Sequence, residues 1–264
     1  SVSAIGYFMM MIRWNCTALC FGRLSISCRN GKTSPTKSNI NFFCKKVKYN
    51  KSIENDIEKS KYEKKIIKIG KCLKFIVNKN INKGFGYSVS LFEKFANGEP
   101  VAMFLGDTLY KTSNSVDCIT QLLNAYKSVK APIVGITKIA LEEVEKYGIC
   151  SGEFLDNNIM KINKVIEKPT IEYVKNNMLL KKGKKKDCYK IFGNYIITSE
   201  IFEDLKKNLN STNGEAQLTI ALDNISKKNE LYGIEIDGNS LDFGNIKSYS
   251  VNFDKYNESK NIEK

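Results

Sequence analysis

Histidine is absent from the 264 residues. That removes imidazole bases, Ser-His-Asp triads and His-ligated metals in one step. Arginine is scarce: Arg13, Arg23 and Arg29 all fall in the first 44 residues, together with the single tryptophan, Trp14. None of the eight cysteines forms a CxxC pair. A chain of this length has room for a core without a disulfide framework, so a reducing compartment, the cytoplasm, is the expectation. Long apolar runs are missing too. "AIGYFMMMI" (4–12) falls well short of the roughly 20 residues that span a bilayer, so no membrane partner is expected. Acidic residues number 28 against 42 basic ones, and the first of them is Glu54.

What these absences leave is catalysis by carboxylates, amines, backbone amides or a hard metal ion held by oxygen. The net charge of +14 favours anionic partners, which include nucleic acid and phosphorylated small molecules. The lysines are scattered along the chain rather than gathered on one helical face. No basic motif is interleaved with aromatics, so nucleic acid is not the expected partner. "KKGKKK" (181–186) reads as a solvated loop.

Composition divides the chain at residue 44. Residues 1–44 hold all the arginine and no acid; from Lys45 onward every basic side chain is a lysine. The leader admits three readings: an organelle-targeting peptide, a cysteine metal site on Cys16, Cys20, Cys28 and Cys44, or foreign sequence in place of a genuine start. The cysteine spacing matches no zinc pattern, and the third reading is favoured. Residues 45–264 read as one α/β domain, incomplete at its N-terminus.

Within that domain, strands and helices alternate. "CLKFIVNK", "EPVAMFLGD" and "APIVGITKI" are strand-like, and "SVDCITQLLNAYKSVK" puts Val116, Ile119, Leu122, Leu123 and Tyr126 on one helical face. Residues 147–169, "YGICSGEFLDNNIMKINKVIEKP", form a hairpin that interrupts the alternation. "YKIFGNYIIT" is the next strand, and Ser199 is placed to cap "EIFEDLKKNL". Alternation of this kind predicts a mostly parallel, Rossmann-like sheet with an inserted hairpin, and ligands gather beyond the carboxyl ends of such strands.

Four short clusters stand at element ends. "KGFGYS" (83–88) is a small glycine loop whose amides can approach a ligand. "FLGD" ends a buried strand in Asp107, and "LDFG" supplies Asp242; each is a cap or salt-bridge partner, or an oxygen ligand for Mg²⁺. "VIEKP" sets Glu167 beside Lys168. The two either face opposite ways along a strand or are held at a turn by Pro169.

The order of these pieces carries more than any one of them. Strand-Gly-Asp, then "YGI", "EKP", "FGNYIIT-EIF", "GEAQLT-AL" and "DFG" resembles the bacterial UTP–glucose-1-phosphate uridylyltransferases, from about Tyr49 to about Tyr256. The resemblance implies a nucleotide-diphospho-sugar transferase fold that converts UTP and glucose 1-phosphate to UDP-glucose and pyrophosphate. It implies Mg²⁺ on Asp107 and Asp242, backbone contact from Gly148 to the sugar, and hydrogen bonds from Glu167 to glucose hydroxyls. It also implies that Lys168 neutralises the sugar phosphate as the catalytic lysine, and that Gly86 lies against the base. A homo-oligomer is left open.

The family's Gly-rich opening loop has no counterpart: the nearest string, "GKTSPTK" (31–37), lacks the second glycine and the arginine and reads as a chance match. Lys79 stands for its base-reading glutamine, Tyr87 for a histidine and Asn194 for an arginine, and its lysine-containing turn is "FGNI" here. Activity impaired by an incomplete N-terminus is therefore expected. The alternatives are a pyrophosphorylase for another sugar and nucleotide, an inactive homologue serving as a partner subunit, or a basic nucleic-acid-binding protein.

Overall fold

In the computed structural model, residues 8–13, 24–28, 56–61, 64, 67, 73–78, 80–112, 116–182, 185–211, 217–228, 230–244 and 246–258 are described. "GKTSPTK", Lys79 and the start of "GEAQLT" fall outside them. The strands are β1 (Phe8–Arg13), β2 (Leu24–Cys28), β3 (Leu73–Val77), β4 (Val101–Leu105), β5 (Thr108–Lys111), β6 (Ile133–Ile139), β7 (Gly148–Phe154), β8 (Ile159–Glu167), β9 (Leu180–Lys182), β10 (Lys185–Ile197), β11 (Leu231–Glu235) and β12 (Asn239–Asp242). The helices are α1 (Gly84–Ser90), α2 (Glu93–Ala96), α3 (Cys118–Val129), α4 (Ile171–Asn177), α5 (Ser199–Ser211), α6 (Leu218–Lys227) and α7 (Ile246–Glu258).

The main sheet runs β3-β2-β1-β4-β10-β6-β11-β8-β7, with β9 on β10 and β7 also pairing with β10. The expectation of a mostly parallel sheet is corrected to a mixed one. β2–β3 and β6–β11 are parallel, whereas β10 lies antiparallel to both β4 and β6. Element alternation does not encode direction: β10 follows the hairpin and enters between β4 and β6 from the opposite end. The hairpin itself is part of the main sheet, since β8 pairs with β11 and β7 with β10. Two strands from the first 44 residues, β1 and β2, stand between β3 and β4.

Alternation along the strands divides the core into two layers. On β4, Val101 and Met103 face one side with Val89, Phe202 and Leu222, while Ala102 and Phe104 face the other with Leu122 and Ile196. α1, α5 and α6 thus cover the first face and α3 the second. α3 starts where Asp117 accepts a hydrogen bond from the Thr120 amide at 2.8 Å, satisfying one free N–H of its first turn. Its buried residues are Leu122 and Ala125; Val116, expected on the same face, is exposed. "KGFGYS", expected as a loop, is the start of α1 instead.

β5 and β12 form a separate two-stranded sheet at the end of β4. Its register pairs Asp242 with Thr108, and the Phe243 amide donates to the Asp107 carbonyl at 2.8 Å. This small ladder joins two parts of the chain that are distant in sequence. Gly193 on β10, at φ +71°, makes room for it: a Cβ there would lie 2.0 Å from Thr108 Oγ1.

Candidate active site

β4 ends at Leu105, and the Gly106-Asp107 turn leads straight into β5, so Asp107 is fixed by the strand behind it and the ladder ahead of it. Asp242 ends β12 opposite. The two carboxylates converge on Gly244, where a Cβ would stand 3.1 Å from Asp107 Oδ2 and 3.1 Å from Asp242 Oδ1. The Gly244 amide donates to Asp242 Oδ1 at 2.7 Å. Asp107 Oδ1 is buried with no hydrogen-bond partner among the described residues. Burial, helped by repulsion from Asp242, holds the Asp107 carboxyl above its ordinary 3.8. Two like charges with an unmet buried acceptor form an incomplete electrostatic unit.

That set fits a hard divalent cation. Among the described residues no three His, Cys, Asp or Glu side chains form a metal cluster, so two carboxylates are what the protein offers here. Mg²⁺ accepts such a site when phosphate and water oxygens complete the shell.

Tyr147 connects the acid pair to the hairpin. Its hydroxyl donates to Asp242 Oδ2 at 3.1 Å, and its carbonyl accepts from the Lys168 amide at 3.0 Å. Burial, then the charge of Asp242, holds the phenol protonated well above its ordinary range, so it remains a donor. Gly148 pairs with Glu167 across the β7–β8 ladder. The Thr219 hydroxyl, near the start of α6, donates to Glu167 Oε2 at 3.1 Å. A Cβ on Gly148 would sit 3.1 Å from Thr219 Cγ2 and 3.2 Å from Glu167 Oε2. The missing side chain leaves a small space with a carboxylate and a hydroxyl on its rim.

Lys168 breaks the strand alternation. It adopts φ +47°, a left-handed backbone that non-glycine residues rarely take. Of the two arrangements open for the Glu-Lys pair, the turn before Pro169 is the one found.

Five of the six expected site residues thus join into one region: Asp107 and Asp242 directly, and Gly148, Glu167 and Lys168 through Tyr147. Gly86 does not join it through any described contact; it is buried in α1, which packs on α5 and α6. Sequence reading missed Tyr147, Lys190 and Thr219. Tyr147 and Thr219 stood inside quoted motifs, next to residues that were assigned roles.

A mixed sheet flanked by helices, with an acid pair beyond a central strand and a glycine-lined edge beside it, is an arrangement that suits a nucleotide-using transferase. The nucleotidyl transferase family model matches residues 47–259, and the chain belongs to that family. Within it, the chain is similar to UDP-glucose-forming members. It is 28% identical over 170 residues to UTP–glucose-1-phosphate uridylyltransferase 1 of Staphylococcus saprophyticus, covering 64% of this chain and 55% of that one. It superposes on apo UDP-glucose pyrophosphorylase with a TM-score of 0.70 at 27% identity, covering 85% of this chain and 78% of that one. The same type of enzyme complexed with UDP-glucose gives a TM-score of 0.68 at 26% identity, with the same coverage. The chain spans 55% to 65% of the length of the curated relatives that stand first among its matches.

Proposed function

We propose that the chain transfers a uridylyl group from UTP to glucose 1-phosphate, giving UDP-glucose and pyrophosphate. The observation that carries this reading is the convergence of Asp107 and Asp242 on Gly244, one tyrosine away from the Gly148–Glu167–Lys168 edge. Similarity to enzymes named for this reaction supports it.

In this reading the sugar lies on Gly148, whose lack of a side chain admits it. Glu167, steadied by Thr219, accepts hydrogen bonds from the glucose hydroxyls. Lys168 neutralises the sugar phosphate. One phosphate oxygen attacks the α-phosphorus of UTP in line, and the bond to the bridging oxygen of the leaving pyrophosphate breaks. No protein nucleophile is needed, so a chain without histidine can support it. Asp107 and Asp242 would hold Mg²⁺, which when bound neutralises phosphate charge. Gly86 is assigned to the base side of the site, as the family resemblance implies.

The test uses the whole chain with UTP, glucose 1-phosphate and Mg²⁺. Stoichiometric UDP-glucose and pyrophosphate are expected, with dTTP a poorer donor. A folded sample that makes no UDP-glucose and binds neither glucose 1-phosphate nor UDP-glucose rules the reading out.

A further inference from the structure

Lys190 has no part in the uridylyl-transfer reading, yet it is the one charged side chain that is buried among the described residues. It lies on β10 and is 7% exposed. Its Nζ stands 4.1 Å from the centre of the Tyr147 ring and 4.2 Å from that of Phe192. The two rings meet edge to face at 6.4 Å, so the ammonium sits in a two-walled aromatic holder. No carboxylate oxygen among the described residues forms an ion pair with it. Asp242 is the strongest favourable charge acting on it, followed by Glu143, while Lys146 opposes.

A buried ammonium without an ion-pair partner is costly, and attraction to two ring faces offsets only part of that cost. Tyr147 shows where the balance is to be found. Its ring holds Lys190, its hydroxyl holds Asp242 and its carbonyl fixes Lys168. One residue therefore ties an acid pair that favours a cation to two lysines that favour an anion.

We propose that Lys190 is a second phosphate-binding cation of this site, meeting the oxygens of the substrate phosphate from the sheet while Lys168 meets them from the strand end. The assignment rests on the uridylyl-transfer reading. It has a second consequence. The same ammonium acts on Asp242, so it weakens the hold of the acid pair on a bare divalent cation. An arriving phosphate cancels the ammonium, and metal and phosphate then bind with positive coupling.

The test is calorimetric titration of the whole chain with Mn²⁺ alone, with glucose 1-phosphate alone, and with each in the presence of the other. Lys190→Met keeps the apolar stem of the side chain to within one atom of its length and removes its charge. Affinity for glucose 1-phosphate should fall about tenfold or more, affinity for Mn²⁺ alone should rise several-fold, and the coupling should shrink. Lys190→Arg should recover most of the sugar-phosphate binding. Opposite signs for the two ligands separate a charge effect from general damage, which lowers both.

If wild type binds glucose 1-phosphate and Lys190→Met binds it equally well, the assignment is overturned while the uridylyl-transfer reading stands. A parallel fall in both affinities overturns it as well. Wild type that binds neither ligand overturns the assignment, and the reading falls with it only where the same sample also makes no UDP-glucose and does not bind UDP-glucose. Should neither Lys190→Met nor Lys190→Gln fold, as judged by thermal melting, the ammonium serves the fold and the assignment is wrong.

Discussion

The Tyr147 hydroxyl donates to Asp242 Oδ2 at 3.1 Å, joining the start of the hairpin to the end of the small β5–β12 ladder. The bond orients one carboxylate oxygen while the Gly244 amide holds the other at 2.7 Å. Asp242 is thus held at both carboxylate oxygens, with Asp107 beside it at Gly244.

Tyr147→Phe removes that donor and keeps the ring against Lys190 and Phe192. A hydrogen bond to a charged group contributes about 1.5–3 kcal/mol, and here it acts on the orientation of a proposed metal ligand. The expected result is a fall in kcat/KM for the proposed UDP-glucose formation of roughly tenfold or more, with weaker Mn²⁺ binding and a melting temperature lower by several degrees, at about 2–4 °C per kcal/mol. Unchanged Mn²⁺ affinity would mean that Asp242 is held well enough by Gly244 alone.

Gly148→Ala tests the sugar side. The added methyl meets Thr219 Cγ2 at 3.1 Å and Glu167 Oε2 at 3.2 Å, contacts that yield by small side-chain shifts, so the fold should survive. The space it fills is the one assigned to the sugar. KM for glucose 1-phosphate should rise about 10- to 100-fold, comparable to a misplaced methylene in a pocket, while KM for UTP stays near wild type. Equal effects on both substrates would move the sugar elsewhere.

Gly193→Ala probes how the ladder is seated. At φ +71° an alanine carries backbone strain of about 1–3 kcal/mol, and its Cβ would lie 2.0 Å from Thr108 Oγ1. Gly98 has φ +79°, and a Cβ added there would meet nothing within 4 Å, so Gly98→Ala bears the backbone strain without the clash. Both variants should melt lower than wild type, Gly193→Ala by several degrees more, at about 2–4 °C per kcal/mol for a chain of this size. The extra loss should bring lower activity with it, because Thr108 is the neighbour of Asp107. Identical melting shifts would show that β5 moves aside freely.

Some of this site could be read from the chain and some could not, for identifiable reasons. Asp107 stood out because a buried strand ends in Gly-Asp, and Glu167-Lys168 because an acid and a base follow an apolar run before proline. Lys190 was invisible because "YKIFGN" looks like an ordinary strand in which one lysine faces solvent. Its holder depends on Tyr147, which reaches it only through the β7–β10 pairing. Strand alternation does place Lys190 and Phe192 on one face, and that was the available signal. Likewise the β4, β6 and β10 segments were recognised as strands, but their relative direction depends on where the chain re-enters the sheet after the hairpin.

Alkaline stability follows from the buried acids of the core. Cys150 is fully buried, and burial pushes its thiol from 9.0 up to about 12. The folded state therefore keeps a proton that the unfolded chain releases above about 9, and stability falls as pH rises from 9.0 toward about 12. Burial also raises Tyr189 and Tyr195 above 10.0, adding to the same limb. Each group contributes a slope of up to about 1.4 kcal/mol per pH unit. Cys150→Ala should be less stable near neutrality because of the small cavity it leaves, by roughly 1 kcal/mol. Its alkaline limb should nonetheless be shallower by about one proton, narrowing the gap to wild type as pH rises. Urea unfolding midpoints followed from about pH 8 to 11 resolve this, and parallel curves for the two proteins would show that the Cys150 thiol ionises as readily in the fold as outside it.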